Sequence, residues 1–185
     1  MVEDMLADAE ARMHKALEAE RTDLINIRTG RANPSVLENI PVQAYGASMP
    51  LVQLATISAP DARMLTIQPY DRSVIGDIER AIMKSDLGFN PTNEGTMIRI
   101  VIPQLTEERR REMVKVVHKR VEETRVAIRN VRREVHDQLR KRLKNKEISE
   151  DEEDVAAEDL QKLTDRMVEQ AEALGATKEA EMMEV

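Results

Sequence analysis

The 185-residue chain is 41% hydrophobic, enough for a core, but only 2% aromatic and 34% charged. That balance favours amphipathic helices packed through aliphatic side chains over an aromatic-rich β-sandwich. Cysteine is absent, which excludes disulfides and thiolate metal sites. No apolar run reaches the roughly 20 residues of a membrane span. The opening MVEDMLADAE lacks a basic region followed by an apolar one, so a cytoplasmic protein of one domain or two small ones is expected.

The net charge of −7 conceals a strong asymmetry. Residues 105–149 carry 15 bases against 8 acids, a net of +7, whereas residues 150–185 carry 13 acids against 3 bases, a net of −10. The distribution, not the average, therefore bears on partners.

In chain order, Leu6, Ala9, Met13, Leu17, Leu24 and Ile27 recur at three-and-four spacing, which predicts one face of a long helix. The pattern stops at Thr29-Gly30, where glycine tolerates a positive φ. Pro34 then moves Asn33 out of the α region. Residues 31–104 carry short β-type runs: NIPVQAY (39–45), QLATIS (53–58), RMLTIQPY (63–70) and TMIRIVIP (96–103). GASMP (46–50), SAPD (58–61) and NPTNEG (90–95) read as turns between them. One helix is predicted from Ser73 to about Leu87, with Ile75, Ile78, Ile82 and Met83 on its inner face and Gly88 as its C-terminal cap.

Thr106 after Pro103 is the N-cap of a second long helix, which meets no proline or glycine before Asn145. At ~1.5 Å per residue it spans roughly 60 Å. Ser149-Glu-Asp-Glu152 has capping-box form and opens a third helix, with Val155, Leu160, Leu163, Met167, Ala171 and Leu174 as its apolar positions. The short join at 145–148 makes helices two and three antiparallel neighbours. The expected fold class is α+β: a three-helix bundle from residues 1–30 and 105–185, with a small β/α/β domain, 31–104, inserted between its first two helices. Two connections then run between the parts.

No catalytic motif stands out. His14, His118 and His136 lie in charged helical patterns, and the acid pairs sit at helix starts, where carboxylates complement the helix dipole. No P-loop, zinc-protease or nucleophile-elbow motif occurs. No enzyme, cofactor or metal site is expected. The second helix is more informative. At ~100° per residue, Val117, Val121, Ile128, Val131, Val135 and Leu139 form a buried stripe. Beside it, Arg111, Lys115, His118, Arg129, Arg132, Arg133, His136 and Arg140 form a cationic face. Arginine's planar fork suits bidentate phosphate contact. Without interleaved aromatics, contact with the phosphates and shape of folded nucleic acid is expected, not base stacking. Two other readings of this face stay open: a solvated or acid-paired surface, and a co-chaperone-like helical module docking an acidic protein.

The stretches IRTGRANPSVL (27–37), KSDLGFNP (84–91), PQLTEERRREM (103–113), RVAIRNVRRE (125–134), KEISEDEE (146–153), QKLTD (161–165) and KEAEMM (178–183) together resemble the bacterial ribosome recycling factor family over essentially the whole chain. The resemblance implies an L-shaped protein in which the smaller domain sits on a two-strand hinge. It implies a non-enzymatic monomer that, with elongation factor G and GTP, splits post-termination ribosomes into subunits. By position it implies rRNA-binding roles for Arg28, Arg31, Arg110, Arg129, Arg132 and Arg133, with the large ribosomal subunit as partner. It places the hinge at Thr29, Gly30 and Arg31 and at Pro103, Gln104 and Leu105. The chain departs from the family pattern at His118 and at Val135-His136-Asp137, and no role is carried over to those histidines.

Overall fold

The computed structural model describes residues 2–27 and 29–184, so Arg28 lies outside the described residues. The chain divides into two compact units, residues 1–27 with 111–185, and residues 28–110. The boundaries thus fall at 27/28 and 110/111, against the expected 30/31 and 104/105. Packing explains the shift. Gly30 lies against Leu105, where a Cβ added to the glycine would sit 3.3 Å from the leucine Cγ. Nearby, the Ala32 amide donates to the Ala62 carbonyl at 2.7 Å.

The larger unit is built from α1 (Val2–Ile25), α5 (Glu107–Lys144, whose first residues belong to the smaller unit) and α6 (Glu150–Met183). Thr106 Oγ1 accepts from the Arg109 amide at 3.2 Å and caps α5. At α6 the capping box forms: Ser149 Oγ accepts from the Glu152 amide at 3.2 Å, and the Glu152 carboxylate accepts from the Ser149 amide at 2.8 Å. Between the two helices Lys146 takes a positive φ of 61°, which reverses the chain in a few residues.

Cross-helix partners fix the directions. Arg125 meets Glu172, His118 meets Glu179 and Arg132 meets Gln161, so α5 and α6 are antiparallel. Arg12 with Glu134 and Asp23 with Arg120 set α1 antiparallel to α5. The expected stripe of α5, from Val117 to Leu139, is buried throughout. Gly175 lets α6 approach α5 closely, since a Cβ there would lie 2.3 Å from Val121 Cγ2. One expected core position is wrong. Val155 is 60% exposed and Ala156 is buried instead, because the inward face of α6 starts one residue later than Val155.

In the smaller unit, α2 (Ser35–Glu38) leads into a hairpin of β1 (Pro41–Ala44) and β2 (Ala47–Pro50). The turn residues Tyr45 and Gly46 have φ of 52° and 76°, the left-handed pair that tight hairpins require. Then follow α3 (Leu51–Leu54), β3 (Ala55–Asp61), β4 (Met64–Pro69), a 3-10 turn at Arg72–Val74, α4 (Ile75–Lys84), β5 (Pro91–Asn93) and β6 (Ile98–Val101). The last four strands form an antiparallel sheet in the order β3-β4-β6-β5. Leu65, Ile67, Ile98 and Ile100 from the sheet pack with Ile78 and Ile82 of α4.

Three stretches expected to be turns are paired strand instead: residues 47–50, the 58–61 tail of β3, and 91–93. Each carries a proline at a tolerated place. Pro50 ends its strand, Pro60 lies on edge strand β3, and Pro91 opens edge strand β5; edges spare the missing N–H a ladder partner. The expected helix over 73–87 stops at Lys84 with Ser85 as its cap, and Gly88 (φ 65°) follows in the loop. Met83, expected inside, is 58% exposed. The short helices α2 and α3 were not foreseen.

Candidate nucleic-acid interface

The interface begins with the periodicity of α5. Because its apolar residues are drawn into the bundle, the residues a third of a turn away border α6, and neighbouring carboxylates decide which cations stay available. Along its middle, α6 supplies them. Arg125 donates from Nη1 to Glu172 Oε1 at 2.7 Å and also bonds Glu122 on its own helix, so its guanidinium is held above its ordinary pKa, first by Glu122 and then by Glu172. His118 Nε2 lies 2.9 Å from Glu179 Oε2. Of the predicted cationic face, His118 thus meets a carboxylate of α6, and so does Arg125 beside it.

Further along, α6 presents Gln161 in place of an acid. Arg132 Nη1 donates to Gln161 Oε1 at 3.0 Å, and Gln161 Nε2 donates to Asp165 Oδ1 at 2.8 Å. Arg132 is thereby positioned by a neutral amide in place of an acid. Arg129, Arg133 and Arg140 are exposed, and among the described residues none has a carboxylate in ion-pair range. Arg129 and Arg133 are one turn apart, with Arg140 two turns beyond, a reach of roughly 16 Å along the axis. Among the described residues, α5 thus has a stretch at 118–125 where α6 supplies carboxylates and a stretch at 129–140 where it does not. Opposite-side cations are also spent: Arg120 Nε donates to Asp23 Oδ2 at 2.6 Å and Arg166 Nη2 to Glu10 Oε1 at 2.8 Å.

Of the residues the sequence nominated, Arg129, Arg132 and Arg133 are therefore brought together on one face. Arg31, exposed, and Arg110, half-buried, belong to the smaller unit. Nominated Arg28 lies outside the described residues. Thr29, Gly30, Arg31, Pro103, Gln104 and Leu105 all fall in the smaller unit. Gly30 has φ 76°, and Thr29 Oγ1 accepts from the Arg31 amide at 3.2 Å. Arg140, already on the predicted cationic face but outside the set the resemblance implied, is exposed seven residues beyond Arg133. Among the described residues no cluster of three or more His, Asp or Glu is arranged to hold a metal ion, and no helix is long and apolar enough to cross a membrane.

A surface of three or four unpaired guanidinium groups on a rigid helix can bind phosphates by charge-assisted, bidentate contacts. The sequence profile of the family described as "Ribosome recycling factor" matches residues 21–183. The chain belongs to the ribosome recycling factor family. It is 56% identical over 185 residues to the ribosome-recycling factor of Halalkalibacterium halodurans and 52% identical to that of Bacillus subtilis, in each case over the full length of both chains. Among solved structures it is similar to a solution structure of the ribosome recycling factor, with TM-score 0.85 and 43% identity over 100% of this chain and 98% of the other. A second similarity is to the T. thermophilus ribosome recycling factor in a structure that places it, with E. coli elongation factor G, on the E. coli post-termination complex. There the TM-score is 0.71 and the identity 45%, over 99% of each chain.

Proposed function

We propose that this chain recycles ribosomes: with elongation factor G and GTP, it splits post-termination ribosomes into subunits. It acts in the cytoplasm as a binding protein and carries out no covalent chemistry of its own. The observation that carries the reading is the unpaired arginine set Arg129, Arg133 and Arg140, with Arg132 held beside it by Gln161, on a chain whose family is named for this activity. These groups anchor the helical unit on large-subunit rRNA through phosphate contacts. Arg31 and Arg110, with Arg28, are further candidate contacts.

The smaller unit is the part that elongation factor G displaces. In this proposal the flexible joint lies at Thr29–Arg31 and Pro103–Leu105, where Gly30 adopts a conformation that side chains resist. Two chain crossings confine the displacement to a swing, and the force breaks intersubunit contacts mechanically. The test is sedimentation of post-termination ribosomes after incubation with the chain, elongation factor G and GTP. Conversion of whole ribosomes into separate subunits is expected. Ribosomes that sediment intact would refute the function.

A further inference from the structure

The helical unit has one buried carboxyl that the proposed function leaves unused. Its aliphatic core falls into two clusters. One contains Met13, Leu17, Ile128, Leu160 and Met167; the other contains Leu24, Val117, Val121 and Met182. At the level between them, α1 places Glu20 where its repeat calls for an aliphatic residue, and α5 places Thr124 between Val121 and Ile128. Glu20 is 0% exposed, and neither of its carboxyl oxygens has a hydrogen-bond partner.

The surrounding polar groups are committed elsewhere. On α5, Thr124 donates its hydroxyl to the Arg120 carbonyl at 3.2 Å. The Arg120 guanidinium points to Asp23 of α1 at 2.6 Å and lies 3.8 Å from Glu123. On α6, the buried Lys178 ammonium pairs with Glu181 at 3.6 Å and forms no ion pair with Glu20. Burial, the largest influence, pushes the Glu20 carboxyl above its ordinary value and outweighs the pull of the nearby Arg120 charge.

We propose that Glu20, buried and unpartnered between the two clusters, is a titratable seam in the helical unit. Its ionisation opens the Leu24–Val117–Val121–Met182 segment ahead of the rest of the bundle. The sign follows from linkage. A group bound more tightly to its proton in the folded state stabilises fully below its unfolded value of 4.5. That contribution is lost as pH rises through the folded value. Opening that releases one proton grows up to tenfold per pH unit inside this window and levels off above it. Independent opening of one segment is the behaviour expected where a polar layer interrupts aliphatic packing.

The experiment is native-state hydrogen exchange on the full chain over a pH series, read as protection factors corrected for intrinsic rates, for wild type and Glu20→Gln. Carbon-13 NMR of the Glu20 side-chain carboxyl is recorded alongside on wild type. The expected result has three parts. Glu20 titrates above the exposed glutamates. Protection over 17–25 and 117–124 falls by up to tenfold per pH unit from pH 4.5 to that midpoint, while residues 128–139 hold. In Glu20→Gln this fall is absent. The proposal is overturned if Glu20 titrates with the exposed glutamates, if the variant repeats the wild-type pH dependence, or if 128–139 lose protection equally. The NMR titration decides the matter alone if the variant does not fold. None of these readouts involves the ribosome, so they stand apart from the recycling proposal.

Discussion

Removing Arg129 and Arg133 together isolates the arginine face from the fold that carries it. Both side chains are exposed, and among the described residues neither has an ion-pair partner. Alanine keeps the helix propensity, so the double variant should change stability by no more than about 0.5 kcal/mol per site. Binding should respond quite differently. Each phosphate contact contributes about 0.7 to 0.9 to the slope of log affinity against log salt. Losing two lowers the slope by roughly 1.4 to 1.8. Between 50 and 200 mM salt, wild type would then lose about tenfold more affinity than the double variant does. The assay is fluorescence anisotropy of the labelled chain with isolated large subunits across that salt range, with thermal unfolding as the stability control. Arg125→Ala is the matched comparison: that guanidinium is already bound to Glu122 and Glu172, so its removal should leave the slope near wild type. If the Arg129/Arg133 variant kept the wild-type affinity and slope, or if Arg125→Ala lowered the slope equally, the division of α5 into these two stretches would be wrong.

Further predictions concern stability. Gly175→Ala forces a Cβ toward Val121 and should destabilise by about 1–3 kcal/mol as an overpacked core site; denaturant unfolding checks this, and adding Val121→Ala should recover part of the loss. Ser149→Ala removes the hydroxyl side of the α6 capping box, leaving the backbone amide of residue 149 on Glu152, and should cost about 1 kcal/mol, read as a lower unfolding midpoint. The Ser149 backbone amide first, and its hydroxyl second, hold the Glu152 carboxyl below its usual value, so the hydroxyl's share of that stabilisation is present above the unfolded value of 4.5 and weakens as pH falls through the folded one. The Ser149→Ala deficit should therefore shrink in acid. Gly30→Ala places a side chain at φ 76° against Leu105 and should destabilise the smaller unit by about 1–2 kcal/mol, with subunit splitting impaired more than large-subunit binding; equal loss of both would count against a joint there.

The helices were legible because their signals are local and periodic. The Val117-to-Leu139 stripe needs only the 3.6-residue repeat, and the Ser149–Glu152 box only a spacing of three. The strands at 47–50, 58–61 and 91–93 were not, because proline and glycine mark turns unless one knows that the strand is short or on an edge. Met83 and Val155 show that an apolar residue near a helix's inner face is not thereby inside it. For the candidate interface, Arg129, Arg132 and Arg133 could be named from the residues, but the carboxylate partners of Arg125 and His118 could not. Their partners, Glu172 and Glu179, are 47 and 61 residues away in the chain, and only the antiparallel register of α5 and α6 brings them together. Glu20 was hidden for a related reason: one acid in a charge-rich helix reads as surface until its neighbours enclose it.

Stopped-flow light scattering of post-termination ribosomes mixed with elongation factor G, GTP and increasing amounts of this chain tests recycling and its anchor together. The account predicts a fall in scattering as subunits part, with the Arg129/Arg133 double alanine variant reaching the same plateau only at higher concentration. Unchanged scattering with the wild-type chain, or identical concentration dependence for the two proteins, would contradict it.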